Sequence, residues 1–373
     1  IAGLTAWMVL QADDDSTQAT AKKVTTRAAT SQLDRSRFMG ARTCIDCHRS
    51  EYVSWLKTAH YSNRVNRFED TESSIDTKYR ELTGNVDLCY NCHTLPAKDR
   101  FGRVFVESGT SCESCHGAAG SENGWLNRHA VYGPNVTRLD QETPEHFADR
   151  IAFCEDAGMV RPGRQYSIAK NCLGCHIAGD AMLFEAGHKV SFDNFSLIPY
   201  MLGEVRHNFH MNQRHNAKSP TLDTKRRGLS AVHRVRLYFI VEQLARMEVA
   251  LNYLAKLPNE EAMETRLADE LIGIFDDAAG ELEEFAEVLM EEPDPAGESL
   301  SEPEAKPLLA AVEEFERFQD LESPTRADAS ASAERISAVA TEFLMSHNGR
   351  RLGALDVEFL EDLGDAAGKA LEP

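Results

Sequence analysis

Cys44-Ile-Asp-Cys47-His48 is the first of four Cys-x-x-Cys-His patterns in this chain of 373 residues. The other three are Cys89-Tyr-Asn-Cys92-His93, Cys112-Glu-Ser-Cys115-His116 and Cys172-Leu-Gly-Cys175-His176. The pattern is the attachment sequence of a c-type haem, in which both thiols bond to the porphyrin and the histidine becomes an axial ligand of the iron. Zinc sites and disulfides also use paired cysteines, but neither requires a histidine directly after the second one. The sequence therefore predicts four covalently bound haem c groups, each with its iron.

Cys154 is the one cysteine outside these patterns. No feature of its surroundings in the sequence indicates a reactive thiolate, so we interpret it as a small buried side chain. Haem is attached covalently outside the cytoplasm. Using eight of nine cysteines in this way therefore predicts a periplasmic or extracellular protein.

The charge of the chain is unevenly distributed. Nearly all of the formal net charge of −20 falls on residues 231–373, whereas residues 1–230 are close to neutral. This sign argues against a nucleic-acid partner. Two interpretations of the acidic part stay open: a face that meets a basic partner protein, or the solvated surface of a helical domain.

The N-terminal segment, residues 1–37, begins with an apolar run that ends at Leu10. Ten residues are too few to span a bilayer, but they resemble the end of a longer apolar stretch. The run is either the remnant of a secretory signal or the outer end of an uncleaved membrane anchor. The large Leu10 makes a poor cleavage site and so favours the anchor. Residues 13–37 are polar and predict a flexible tether.

Two further domains are predicted from the change in sequence character. Residues 38–228 hold all four motifs with weak periodicity, which predicts a tetrahaem cytochrome c domain of sparse secondary structure. Residues 229–373 show helical stripes of apolar residues over 237–254 and 267–289. The same spacing predicts helices near 303–320, 331–346 and 354–370, packed antiparallel because their connections are short. The predicted fold class is mainly α, with an acidic C-terminal helical domain that holds no haem.

The axial ligands on the motif side are His48, His93, His116 and His176. A second ligand on each iron would come from the nine other histidines, most of which fall before residue 234. The best candidates are His60, His129, His188 and His207, with His210 in reserve and His146 and His215 weaker. A histidine about a dozen residues past its motif more often serves a neighbouring haem than its own. Such cross-ligation would hold the haems close together, and His–His ligation would give low potentials.

The order of these motifs resembles a known family. Ser54-Trp55-x-x-Thr58-Ala59-His60 follows the first motif, and Gly109-Thr-Ser precedes Cys112-Glu-Ser-Cys-His-Gly117. With the remaining motifs, residues of about 38–210 look like the tetrahaem cytochrome c family of ammonia-oxidising bacteria. Members of that family accept electrons from hydroxylamine oxidoreductase. The C-terminal helices are not covered by the resemblance.

The resemblance implies a set of ligand pairs. His60 would bind the iron of the fourth motif, His129 that of the first, and His207 that of the third. The family leaves the iron at the second motif without a protein ligand on its far side. Here His188 has no clear counterpart in the family, and it would close that open position.

The predicted function is electron transfer between redox protein partners. Four haems, surplus histidines and no evident substrate pocket favour a carrier over an enzyme. The alternative from another class is a redox enzyme that acts on small nitrogen compounds at a five-coordinate haem. A third interpretation, a subunit of a larger multihaem assembly, is compatible with the first.

Overall fold

The fold is mainly α, as predicted from the sequence. A computed structural model of the chain describes residues 37–62, 74–84, 87–98, 103–120, 124–161, 164–190, 195–199, 231–291, 302–347 and 352. The N-terminal apolar run, the predicted helix at 354–370 and His207, His210 and His215 lie outside these residues. Among the helices described, none is both long and apolar enough to cross a membrane.

The motif-bearing region, residues 37–199, is built from short elements. Its helices are α1 (Arg49–Trp55), α2 (Ala59–Ser62), α3 (Ser74–Thr83), α4 (Asp87–His93), α5 (Cys112–His116), α6 (Leu126–His129), α7 (Pro144–Asp156), α8 (Gln165–His176), α9 (Ala181–Glu185) and α10 (Leu197–Pro199). A hairpin of β1 (Leu95–Lys98) and β2 (Val104–Ser108) joins the second motif to the third. Helices α4, α5 and α8 each end on a motif histidine, so three motifs form the last turns of helices.

The segment that follows the first motif forms two helices, α1 and α2. Helix α1 ends at Trp55, and the Thr58 hydroxyl then accepts a hydrogen bond from the amide of Tyr61 at 3.3 Å. A threonine oxygen at that position caps the start of a helix. The sequence Thr58-Ala59-His60 therefore begins a new helix, α2, whose second residue is His60.

The described residues after 230 form four long helices, α11 (Ala231–Leu254), α12 (Arg266–Glu291), α13 (Glu302–Gln319) and α14 (Arg326–Ser346). Helix α11 packs against α12 and α14, and α13 packs against the same two, so the four close into a ring. Asn259 caps the 3-10 turn at Glu261–Glu264, because its side-chain oxygen accepts a 3.0 Å hydrogen bond from the amide of Ala262.

Helix α11 is buried on nearly every side, not only along the stripe seen in the sequence. Besides Leu244 and Leu251 of the stripe, Tyr238, Val241 and Ala245 on other faces are fully buried. A helix that is apolar all round lies inside a structure rather than on its surface. The additional neighbour is α8, which packs along α11 and belongs to the same hydrophobic core. The fourth motif, at the end of α8, is therefore held against the C-terminal domain.

Candidate haem-binding site

The histidine of the third motif shows how the chain prepares an axial ligand. His116 ends α5, and its Nδ1 lies 2.8 Å from the carbonyl oxygen of Val160. A carbonyl only accepts, so Nδ1 carries the proton and Nε2 is left for a metal. Burial lowers the pKa of His116, which keeps the ring neutral as ligation requires. The positive φ of Gly117, +85°, turns the chain directly after the motif, and a Cβ there would lie 2.2 Å from the oxygen of Gly158.

Each of the other three motif histidines faces one histidine from elsewhere in the chain. The ring of His48 lies 6.0 Å from that of His129, centroid to centroid. His176 lies 6.2 Å from His60. His93 lies 6.3 Å from His188. These are the pairs expected from the sequence for the first, fourth and second motifs.

The spacing of the pairs fits an iron between the two rings. Metal–imidazole bonds of about 2 Å place two opposed nitrogens about 4 Å apart, and the ring centroids lie about 1 Å further out on each side. The resulting separation of about 6 Å matches all three pairs. Burial, and then the nearness of the facing ring, lowers the pKa of His129 and of His176 to about 4. These two rings are thus neutral near pH 7, and the residues present fit bis-histidine haem.

His188 is presented by the end of a helix. The amide of His188 donates to the carbonyl of Leu183 at 2.9 Å, and that of Gly187 donates to Phe184 at 2.9 Å. With Gly187 at φ +96°, these two bonds form a Schellman motif at the end of α9. The Nδ1 of His188 lies 2.7 Å from the carbonyl of Lys189, so this nitrogen is the donor and Nε2 is the unprotonated nitrogen of the ring. Burial, and next the nearness of His188, lowers the pKa of His93.

His129 is held by a buried ion pair. Arg150 donates from Nη1 to the carbonyl oxygen of His129 at 2.8 Å, and its other nitrogens bind Glu142 at 2.7 Å. Arg150 is only 4% exposed, so the pair is sealed from water. The weaker candidate His146 also contacts Glu142, through Nδ1 at 2.7 Å. The predicted ligand of the third motif, His207, lies outside the described residues.

The motifs contact one another in the structure. The first meets the third, because the 3-10 turn at Ala41–Cys44 packs against helix α5. The third meets the fourth, since the side-chain amide of Asn171 donates to the Cys115 carbonyl at 2.9 Å. The fourth meets the second in a buried cluster, where Cys89 packs with Ala178, Leu183 and Ala186.

Tyr253 of α11 is one of the residues that sequence reasoning missed. Its hydroxyl donates to the carbonyl of Gly174, inside the fourth motif, at 3.1 Å. A Cβ atom on residue 179 would lie 2.6 Å from the Tyr253 ring, so glycine at this position allows the ring to approach the backbone. No signal in the sequence marked this tyrosine, because it sits among apolar residues of a helical stripe.

Glu113 was also missed as a structural residue. It is 1% exposed, and its carboxylate accepts hydrogen bonds from the amides of Met39, Gly40 and Ala119 at 2.7–3.1 Å. The bonds tie the turn that leads into the first motif to the helix of the third. Glu113 occupies a variable position between the two cysteines of a motif, so the pattern predicts no structural role for it.

Comparisons with known proteins agree with this geometry. Residues 43–117, which contain the first three motifs, match the family described as cytochrome c554 and c-prime. The chain is similar to that family. It is also 24% identical to cytochrome c-554 of Nitrosomonas europaea over 155 residues, which are 38% of this chain and 57% of that relative. The chain therefore spans a little over half the length of this relative. No solved structure matches the chain.

Similarity to the cytochrome c554 and c-prime family confirms the resemblance expected from the sequence. It supports covalently bound haem c with iron. The fourth motif and the C-terminal domain lie beyond the residues that match the family.

Proposed function

We propose that this protein is a tetrahaem c-type cytochrome that transfers electrons between redox proteins outside the cytoplasm. The observation that carries the proposal is the set of three facing histidine pairs at 6.0–6.3 Å. A six-coordinate iron exchanges electrons and leaves no position for a substrate. The geometry therefore favours a carrier over an enzyme.

Each pair joins distant parts of the chain. His60 follows the first motif but faces the fourth, His129 follows the third but faces the first, and His188 follows the fourth but faces the second. Each such pair fixes two motifs at once, which supports a compact cluster rather than four separate units. We assign the remaining predicted ligand, His207, to the third motif, which would make all four irons six-coordinate.

The order of contacts supports a route through the cluster. The first motif packs against the third, the third binds the helix of the fourth, and Cys89 of the second packs with residues that follow the fourth. Bound haem would supply reversible one-electron chemistry at each motif. The chain would supply the close packing through which electrons pass from one motif to the next.

The location and assembly follow from the same proposal. Covalent haem places the protein in the periplasm or outside the cell, with membrane attachment through residues 1–37 as a further proposal. Residues 38–228 would form the tetrahaem domain and residues 229–373 the acidic helical domain. Membership of a larger multihaem assembly is compatible with this arrangement.

The test uses the purified haem-loaded protein. We expect a mass increase of four haems on the denatured chain and only low-spin ferric iron in its low-temperature paramagnetic resonance spectrum. The variant His188→Ala should convert one iron of the four to high spin, because the ring facing His93 is removed. The matched control is His347→Ala, which removes a histidine at the end of α14 and should leave four low-spin irons.

Two outcomes would overturn the proposal. A chain with fewer than four haems would refute the tetrahaem assignment. A high-spin iron in the unsubstituted protein that binds cyanide would instead support the alternative, a redox enzyme acting at a five-coordinate haem. If His188→Ala leaves the spectrum unchanged, the ligand assignment at the second motif is wrong.

A further inference from the structure

Phe195 covers the histidine of the fourth motif. Its ring lies 3.8 Å from the ring of His176, centroid to centroid, with only 17° between the two planes. The facing histidine, His60, meets His176 at 82°. His176 therefore contacts two rings, one in the position of a second iron ligand and one stacked flat against its own plane. A flat stack restricts rotation of the ring and keeps water away from it.

Phe195 is held in place by helix α11 of the C-terminal domain. The guanidinium of Arg246 donates to the carbonyl oxygen of Phe195 at 2.5 Å and pairs with Glu242 at 2.8 Å. The other carboxylate oxygen of Glu242 accepts from the amide of Leu197 at 2.9 Å and from the hydroxyl of Ser196 at 3.2 Å. Two charged residues one turn apart on α11 thus fix the backbone on both sides of this short segment.

The burial of these groups makes the arrangement rigid. Glu242 is 2% exposed, and Leu197 and Ile198 are each 1% exposed. A buried carboxylate that loses one of its partners is costly, so the clamp acts as a unit. Because charge-assisted hydrogen bonds are also directional, the clamp fixes the place of Phe195 more closely than apolar packing alone would.

The same helix supports the fourth motif at two further points. Glu248 accepts from the ammonium of Lys170 at 3.0 Å and from the hydroxyl of Tyr166 at 2.5 Å, both on α8 ahead of Cys172. Tyr253 donates to Gly174 within the motif. Along α11, residues 242–253 therefore contact the approach to the motif, its interior and, through Phe195, its axial histidine.

We infer that Arg246 and Glu242 are positioning residues for the fourth haem: they hold Phe195 against His176, and so set the plane and the hydration of that axial ligand. The inference rests on the proposed function, since it assumes that His176 and His60 bind one iron. Axial-ligand environment and exposure to water are among the factors that set haem potential. The acidic domain, which lies beyond the family match, would thus tune one of the four haems.

The test compares substitutions in the complete haem-loaded protein. His60→Ala first identifies the fourth iron as the one low-spin resonance signal that turns high-spin. Arg246→Met, which removes the donor to Phe195, and Phe195→Leu, which removes the ring but keeps the carbonyl, should both alter that signal alone. Both should also lower the midpoint potential of that one haem, because water nearer the ligand favours the more positively charged ferric state. Arg246→Lys keeps a cationic donor at this position, so it should change the signal and the midpoint potential less than Arg246→Met does.

The matched control is Arg335→Met, which breaks an arginine–glutamate pair between α13 and α14. It should leave all four signals and potentials unchanged, and an equal shift in this variant would overturn the inference in favour of general loosening. If His60→Ala converts no signal, the proposed ligands are wrong. If it converts one while Arg246→Met and Phe195→Leu leave that signal and its midpoint unchanged, the ligands stand and the positioning role is refuted. Should Arg246→Met fail to accumulate, Phe195→Leu gives the same decision.

Discussion

Gly187 determines where His188 lies, and this can be tested by one substitution. Its φ of +96° is a conformation that costs a residue with a Cβ about 1–2 kcal/mol. Space is not the obstacle, because nothing lies within 4 Å of the position of the added atom. We expect Gly187→Ala to lower the free energy of unfolding by about 1 kcal/mol and to give a partly high-spin iron at the second motif.

The control for this variant is Gly273→Ala, inside helix α12. That position is helical and open, so alanine should stabilise the protein by about 0.5–1 kcal/mol and leave the spectrum unchanged. Chemical unfolding and low-temperature resonance measure the two effects. A fully low-spin Gly187→Ala protein would show that His188 does not depend on the turn.

The buried carboxylate of Glu113 should contribute to the stability of the fold. Its carboxylate accepts from three backbone amides, and a glutamine would offer only one oxygen and bring an NH₂ group that cannot accept. We expect Glu113→Gln to lower the free energy of unfolding by about 2–3 kcal/mol, measured by urea titration. The exposed Glu145→Gln on α7 should change it by less than about 0.5 kcal/mol. Equal effects of the two variants would contradict the role of the buried carboxylate.

What the sequence predicts at this scale depends on spacing. His60, His129 and His188 could be selected because each follows a motif by a similar number of residues, and the structure brings each to a motif histidine. Glu113 and Phe195 could not be selected, because their roles arise from contacts with residues 74 and 51 positions away. Long-range contacts of this kind leave no local pattern.

At the scale of elements, helices α13 and α14 are joined by a buried carboxylate. Burial alone would raise the pKa of Glu314, but hydrogen bonds from Arg317 and Arg335 outweigh it and lower the pKa to about 2. A carboxyl group with a depressed pKa in the folded state adds stability above its unfolded pKa, about 4.5, and loses it as the pH falls toward 2. The pairing should therefore weaken between these two values.

The measurement compares Glu314→Gln with the unsubstituted protein. At pH 7 we expect the free energy of unfolding of the variant to be lower by about 2 kcal/mol. The effect should be no larger, because solvent screens the half-exposed arginine side chains. The difference should shrink as the pH is lowered from about 4.5 toward 2, followed by helical circular dichroism in urea. Glu316→Gln, exposed on the same helix, should show almost no difference at any pH. A constant difference across this range would refute the assignment.

Helix boundaries were predictable where apolar residues repeat, and less so elsewhere. The spacing of apolar residues predicted the positions of α11 to α14, because one buried face is enough to reveal a helix. The spacing did not reveal that α11 is buried all round, since its hydrogen bonds with α8 join residues 78 and 79 positions apart in the chain. The β1–β2 hairpin was missed as well, because its two strands have only four and five residues.

At the scale of the whole molecule, the motif-bearing region and the C-terminal domain share one core. Tyr166, Leu173 and Ile177 belong to the same buried cluster as Leu244 and Leu251. The change in sequence character near residue 229 predicted a domain boundary, and that boundary stays a prediction because residues 200–230 lie outside the described part. The shared core nevertheless means that the two parts do not bury their apolar surfaces independently.

A chain that ends at residue 228 tests this dependence. It would expose the face of α8 that packs on α11, including Tyr166, Ala169 and Leu173, each less than 9% exposed in the full chain. Exposed apolar faces favour aggregation and loss of local structure. We expect the shortened protein to keep the first three haems but to lose the low-spin signal of the fourth, measured by resonance on matched haem concentrations.

The control for the shortened chain ends at residue 353 and so retains Leu352, which is fully buried in the shared core. It should keep four low-spin haems, because it leaves α11 to α14 complete. If the chain ending at 228 also keeps four low-spin irons and remains monomeric, the fourth haem does not require α11. The C-terminal helices would then be an independent domain. The contacts that Arg246 and Tyr253 make near the fourth motif would have no effect on its haem.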